Sequence, residues 1–136
     1  MKKLLAVGVV AVVFGLLVYS SLAEKGTRAF MRQKLNYSQG VLEVLTLEKF
    51  ELVVTNAALM RNMNLTNVFS LTQNQDYLAR STNFIRSVDS LISAAKNQDL
   101  ERATEAYTHV ARSCIECHKL FRREQFLKSQ TDGTFK

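Results

Sequence analysis

Residues 100–121 read LERATEAYTHVARSCIECHKLF. Their apolar positions recur every three or four residues, which is the spacing of one face of an α-helix. This face comprises Leu100, Ala103, Tyr107, Val110, Cys114, Cys117 and Phe121. The pattern therefore predicts a helix whose inward side carries both cysteines of the chain.

Three earlier blocks have the same helical spacing. Their apolar positions are Met31, Leu35, Val41, Leu42, Val44 and Leu45; then Leu47, Phe50, Val53, Val54, Ala57 and Met60; then Tyr77, Phe84, Val88, Leu91 and Ala95. No Gly or Pro occurs between Val41 and Asp132, so the turns of a β-protein have no residues to form them. We predict an all-α fold, an antiparallel four-helix bundle with up-down-up-down topology.

Polar stretches mark the expected connections between these helices. We predict a turn near Thr46, a loop over residues 62–67 and a short connector over residues 97–99. Thr72-Gln73-Asn74-Gln75 matches the capping-box pattern that starts a helix. The last eight residues, from Ser129 on, are expected to fray.

The N-terminus has the features of a secretory signal peptide. Two lysines precede an apolar run over residues 4–18, and Ser21 and Ala23 stand three and one positions before a cleavage site. We expect residues 1–23 to be a signal peptide and residues 24–136 to be the exported domain. The uncharged stretch is also long enough to remain as a membrane anchor. In either case the domain lies outside the cytoplasm.

Cys114-Ile115-Glu116-Cys117-His118 is the CxxCH pattern of covalent heme attachment. Two thiols at this spacing can each add to one vinyl group of a heme, and the imidazole that follows can bind the iron. We expect one heme c, covalently bound through Cys114 and Cys117, with His118 as an iron ligand. The export segment agrees with this expectation, because c-type heme is attached outside the cytoplasm.

Other uses of the two cysteines are weaker interpretations. A disulfide between residues so close in sequence constrains almost no loop. A thioredoxin-like CxxC belongs beside a βαβ pattern, which the chain lacks. A zinc site would need Cys114, Cys117, His118 and His109, which one continuous helix cannot arrange tetrahedrally. His109 falls off the apolar stripe and is expected to be exposed.

The segment CIECHKLFR, residues 114–122, resembles the usual CxxCHKxFR form of the cytochrome c-prime superfamily. In that family the motif also lies late in the chain, on the last of four helices. The resemblance covers the whole exported domain in architecture, but its specific motif spans these nine residues alone. It implies that Arg122, one turn after His118, pairs with a heme propionate; the alternative is a solvated surface arginine.

The family's first helix lies over the other face of the heme. It carries an arginine and, four residues later, a ligating methionine or a non-ligating apolar residue. Here Met31 follows Arg28 by three residues and Leu35 comes one turn later, so the spacing differs from the family's. The resemblance suggests Met31 as sixth ligand and Arg28 beside the heme. If Met31 is a core residue instead, Leu35 covers an open iron site. Met60 and Met63 are expected in the core and a loop.

Two functions follow from these alternatives. With Met31 bound, the protein is a six-coordinate, single-electron carrier of the periplasm, possessing no enzymatic activity. With an open site, it binds small gases such as nitric oxide. No Ser/His/Asp arrangement and no carboxylate pair suited to acid-base chemistry is present.

The expected partners are redox proteins, and acidic ones would suit the net charge of +6. Both signs of charge are mixed along the chain without a basic run, which argues against nucleic acid. Membrane association is expected only if the N-terminal segment is uncleaved. The c-prime family often forms dimers through its first two helices, so the resemblance also leaves a homodimer open.

Overall fold

The computed structural model describes residues 27–71 and 75–131. Within these ranges the chain forms helices and no strand: α1 over residues 27–46, α2 over Phe50–Leu71, α3 over Gln75–Lys96 and α4 over Leu100–Thr131. The chain divides into two compact units, Met1–Asn36 and Tyr37–Lys136. The start of α1 thus belongs to the first unit, and the rest of the helical chain forms the second.

In the first unit the structure describes residues 27–36, which are helical throughout. The side chains of Arg28, Met31 and Leu35 are exposed. The predicted signal peptide, residues 1–23, lies outside the described residues. Among the helices that the structure does describe, none combines the length and the apolar character needed to span a bilayer.

The second unit is a helical bundle in which neighbouring helices run in opposite directions. Along α3 and α4, Ser87 lies beside Ser113, and Arg80, farther back on α3, lies beside Glu116, farther on along α4. α2 and α3 pair in the same antiparallel sense. The prediction of an all-α, antiparallel four-helix bundle is therefore confirmed.

Two turns of the same kind connect α1 to α2 and α3 to α4. Each contains a residue in the left-handed region, Glu48 with φ 53° and Gln98 with φ 54°. In both turns, the amide of the left-handed residue donates to the carbonyl three residues before it. The amide of the next residue donates to the carbonyl five residues before itself. This is a Schellman motif, which satisfies the last carbonyls of a helix and usually employs glycine.

The start of α4 is capped by Asp99. Its Oδ1 accepts a hydrogen bond of 3.0 Å from the backbone amide of Arg102, one of the donors that a helix leaves without a partner in its first turn. The predicted connector over residues 97–99 and the predicted turn near Thr46 are therefore confirmed.

One apolar core joins the four helical segments of the second unit. Its buried side chains are Val41, Leu45, Val53, Ala57, Met60, Phe84, Val88, Leu91, Ala94, Ala95, Ala103, Ala106 and Val110. Burying a side chain as large as Met60 or Leu91 contributes about 1.5–3 kcal/mol. At the edge of this core, the Tyr107 hydroxyl on α4 donates to the carbonyl of Ser38 on α1 at 3.0 Å.

The predicted loop over residues 62–67 is wrong, because α2 continues through it to Leu71. Asn64 in this stretch is buried, and its Nδ2 donates to the Ser81 hydroxyl at 2.6 Å. A polar side chain satisfied inside the bundle does not need the solvent of a loop. Met63 is accordingly a half-buried helical residue rather than a loop residue.

Two other expectations need correction. α4 has 32 residues and continues past Ser129 to Thr131. Four leucine and phenylalanine side chains of the second unit, predicted on buried stripes, are exposed: Leu42, Leu47, Leu100 and Phe121. At Leu42 and Phe121 the preceding residue, Val41 or Leu120, is buried instead. Residues 72–74 of the predicted capping box lie outside the described residues.

Candidate functional site

Cys114, Cys117 and His118 lie on one side of α4. Successive residues of an α-helix are rotated by about 100° around the helix axis. Relative to Cys114, Cys117 is therefore rotated by about 60° in one direction and His118 by about 40° in the other. Both cysteines are half-buried, and Cys114 packs against the core. His118 is exposed. The cysteine sulfurs are not bonded to each other, so the face offers two thiols beside the core and an imidazole open to solvent.

An aromatic pair borders this face. Tyr77 in the first turn of α3 contacts Phe121 on α4 edge to face, with ring centroids 6.4 Å apart. Burial, together with negative charge on Cys117 and Glu124, raises the pKa of Tyr77 to about 12. Tyr77 therefore stays a neutral phenol at physiological pH. Phe121 itself is 46% exposed, which leaves apolar surface uncovered one turn after Cys117.

An ion-pair network holds the residue between the two cysteines. Glu116 accepts a hydrogen bond of 3.1 Å from Lys119 Nζ, and its other carboxylate oxygen lies 3.6 Å from Arg80 Nη1 on α3. The Glu116 side chain thus points away from the thiol face, toward α3. Although these pairs are partly exposed and individually weak, together they link the CxxCH turn to the neighbouring helix.

Polar pairs hold α3 to α2 and to α4 near this turn. Asn64 of α2 is bonded to Ser81, which is the next residue after Arg80 on α3. Ser87 and Ser113, the residue before Cys114, have hydroxyl oxygens 3.3 Å apart. The sequence analysis did not predict a role for Asn64. Its spacing of four residues from the core residue Met60 could have indicated one, because it places both residues on the same helical face.

The sequence-predicted residues fall into two groups. Arg122 is exposed one turn after His118 and on the same side of α4, so the structure brings it together with Cys114, Cys117 and His118. Arg28, Met31 and Leu35 belong to the first unit and are exposed there.

His109 is exposed, as predicted. Its Nε2 lies 4.0 Å from Glu105 Oε1, on a side of α4 that faces away from the cysteines. In the described part of the chain, no three His, Cys, Asp or Glu side chains are arranged to hold a metal ion. The four ligands that a zinc site would require are therefore not gathered.

The residues present fit a covalently bound heme c. Two thiols at CxxC spacing are the groups that form thioethers, and an adjacent imidazole is a usual iron ligand. The Cys114 thiol adjoins the core, and the same face has the exposed apolar ring of Phe121. A large apolar group with an iron centre matches both the donor set and the apolar surface.

The chain is similar to known proteins of one kind. The sequence pattern of the family described as Cytochrome C' matches residues 64–122, which include the CxxCH turn. No curated protein sequence is similar enough to count as a match. The structure of cytochrome c' from Rubrivivax gelatinosus is similar with a TM-score of 0.53 and 18% identity, over 68% of this chain and 88% of that chain.

The two matches agree with each other and with the residues of the site. The structural match supports the four-helix fold, and the family match includes the part of α4 that presents Cys114, Cys117 and His118. The chain is thus similar to the family described as Cytochrome C' over residues 64–122, and it has the four-helix fold of cytochrome c'.

Proposed function

We propose that this protein is a periplasmic cytochrome that carries single electrons on one heme, attached through Cys114 and Cys117 and bound at the iron by His118. The observation that carries the proposal is the presentation of these three side chains on one face of α4, with Cys114 packed against the core. A bound heme supplies a one-electron iron couple, whose potential depends on ligands and burial. We assign the chain no catalytic role.

The chain's own residues have separate tasks in this proposal. The two half-buried thiols fix the heme to α4, and the rigid helix keeps His118 in register with them. Arg122 is one turn beyond His118 and exposed, which suits a cation that pairs with a propionate. Tyr77 and Phe121 provide an aromatic contact beside the attachment turn.

We propose Met31 as the sixth iron ligand, with Arg28 and Leu35 as its neighbours on the same face of α1. The burial of the methionines supports this choice. Met60 has no exposed surface and is part of the core, and Met63 is half-buried on α2. Met31 is 37% exposed, so its thioether is not committed to core packing. A core role for Met31 is therefore the weaker alternative.

The spectrum of the holoprotein tests this assignment. Optical spectra of the oxidised and reduced forms should be low-spin and unaffected by carbon monoxide or nitric oxide. Met31→Ala should convert the spectrum to high-spin and permit gas binding, whereas Met63→Leu should leave it unchanged. A wild-type spectrum that is already high-spin and shifts with gas would replace electron transfer by gas binding, with Leu35 covering the open site.

The location is proposed from the sequence features of residues 1–23. Export would deliver the domain to the compartment where c-type heme is attached, either free after cleavage or tethered by an uncleaved segment. Mass spectrometry of the mature protein distinguishes these forms: a chain beginning at Glu24 indicates cleavage, and a chain retaining residues 1–23 indicates a tether.

We also propose a homodimer formed through α1 and α2, the helices that family members use. Exposed leucines support this proposal, because Leu42 on α1 and Leu52 and Leu59 on α2 present apolar surface that the core does not use. Light scattering after size exclusion should show a dimer, and Leu52→Glu should convert it to a monomer. Leu78→Glu, at an exposed leucine of α3, is the control that should remain dimeric.

A further inference from the structure

One side of α4 next to His118 is basic. The exposed side chains of Arg112, Lys119, Arg122 and Arg123 point into a sector of about 100° around the helix axis. Exposed Ile115 and Phe126 lie in the same sector, between the cations. We call these six residues the basic face.

The basic face retains most of its positive charge. Glu116 lies at its edge and is shared between Lys119 and Arg80, which comes from α3. Among the described residues, Arg112 and Arg123 have no ion-pair partner, and Arg122 is the cation that the proposed function pairs with a heme propionate. Uncompensated positive charge therefore lies beside the exposed imidazole of the CxxCH turn.

The other end of the second unit has the opposite balance of charge. Glu48 and Glu51 line the same surface recess as Gln98, so the α1–α2 turn and the α3–α4 turn lie together. The carboxylates in and beside these turns are Glu43, Glu48, Glu51, Asp99, Glu101 and Glu105, against the cations Lys49, Lys96 and Arg102. A negatively charged partner would thus be repelled at the turn end and attracted to the basic face.

We propose that the basic face is the docking surface for an acidic electron-transfer protein. This inference rests on the proposed function. Cations around exposed apolar side chains form the kind of surface used in weak redox complexes, in which charge guides the encounter and a small apolar centre makes the contact. The position beside His118 places the partner next to the heme-binding turn.

The experiment uses the holoprotein and a small acidic blue-copper protein as the probe. Stopped-flow electron transfer should be fast at low salt and fall by about tenfold or more as the salt concentration is raised. The double variant Arg112→Glu/Arg123→Glu should lower the low-salt rate constant at least about tenfold and flatten its salt dependence. The matched control Lys49→Glu/Lys96→Glu changes net charge equally at the other end and should alter the rate less than about twofold. Equal losses in both variants would overturn the proposal.

A binding measurement separates docking from electron transfer. With the blue-copper protein held in its reduced form, amide NMR shifts of the reduced holoprotein should change along residues 112–126 and disappear in the double variant. Shifts elsewhere would overturn the proposal. Shifts on the basic face with no electron transfer at any salt concentration would support docking but reject the electron-carrier function.

The same variants test an anionic membrane as the occupant. Vesicles containing phosphatidylglycerol should not sediment the holoprotein at physiological salt. Vesicle binding that the double variant abolishes, without shifts on adding the blue-copper protein, would overturn the docking proposal in favour of a lipid surface. Arg112→Gln/Arg123→Gln repeats each measurement if the charge-reversed variant does not fold.

Discussion

Tyr77 on α3 and Phe121 on α4 meet with their ring planes at 85° and their centroids 6.4 Å apart. Edge-to-face pairs of this kind contribute about 0.5–1.5 kcal/mol beyond the area that they bury. The contact joins the first turn of α3 to the part of α4 that directly follows His118. It therefore holds the two helices together where the heme ligand is presented.

The raised pKa of Tyr77 predicts a loss of stability at alkaline pH. The folded protein holds the phenol proton up to a pKa of about 12, whereas an ordinary tyrosine loses it near 10.0. The stabilising contribution is complete below pH 10 and is lost as the pH rises toward 12. Urea unfolding of the heme-free protein from pH 9 upward should show this decline, and Tyr77→Phe should reduce it. Parallel curves for the two proteins would contradict the assignment.

The hydrogen bond from Tyr107 to Ser38 should contribute measurably to folding. Tyr107→Phe removes the donor to the Ser38 carbonyl and leaves the ring in place, so we expect a loss of about 1 kcal/mol in the free energy of unfolding. Ser38→Ala is the matched control. It removes only the longer hydroxyl contact of 3.3 Å and should cost less. If Ser38→Ala lowers the free energy of unfolding more than Tyr107→Phe does, the bond to the Ser38 carbonyl is not the main contribution to stability.

The left-handed turn residues offer a gain in stability. Gln98 is exposed and has a φ of 54°, a conformation that costs a residue with a Cβ about 1–2 kcal/mol. Gln98→Gly relieves this cost but loosens the unfolded chain, so the expected net gain is about 0.5–1 kcal/mol. Gln98→Ala retains a Cβ and should give no such gain. Chemical denaturation of the three proteins tests the difference.

The buried pair of Asn64 and Ser81 should be sensitive to loss of either partner. Asn64→Leu removes the 2.6 Å bond and leaves the half-buried Ser81 hydroxyl without that donor, with an expected cost of about 1–3 kcal/mol. Ser90→Ala on the exposed side of α3 is the control, since its hydroxyl bonds only to the Arg86 carbonyl. We expect it to change stability by less than about 0.5 kcal/mol.

Covalent attachment can be checked directly by mass. Replacing both Cys114 and Cys117 by Ala should abolish the heme adduct in a maturation-competent host, and each single replacement should retain at most one thioether. Ser113→Ala, at the position before Cys114, should keep the full adduct. Heme that remains covalently bound to the double variant would reject the assigned attachment residues.

Helical spacing and the scarcity of glycine predicted the fold, because apolar residues that recur every three to four positions form one face of an α-helix. The attachment motif was equally direct, since CxxCH combines thiol spacing with a ligand on a single helix. The continuation of α2 through Asn64 could not be predicted locally. Asn and Thr favour loops in isolation, and the partner that reverses this preference, Ser81, lies on another helix.

Exposure was less predictable than helix position. Leu42 and Phe121 have apolar side chains at core spacing, yet both are exposed, and the residues that precede them, Val41 and Leu120, are buried instead. The left-handed turn at Gln98 had no glycine to indicate it. The role of Met31 depends on chemistry at the iron, which apolar periodicity does not encode.

The packing of Cys114 against the core has a consequence for biogenesis. Helical bundles built from chain neighbours fold within about microseconds to milliseconds, and folding partly buries the Cys114 side chain. The assembly machinery needs both thiols accessible, so attachment competes with folding. Slower folding of the bundle should therefore raise the yield of protein with covalently attached heme. The rate at which the core folds, and not the CxxCH motif alone, then determines how much heme is attached.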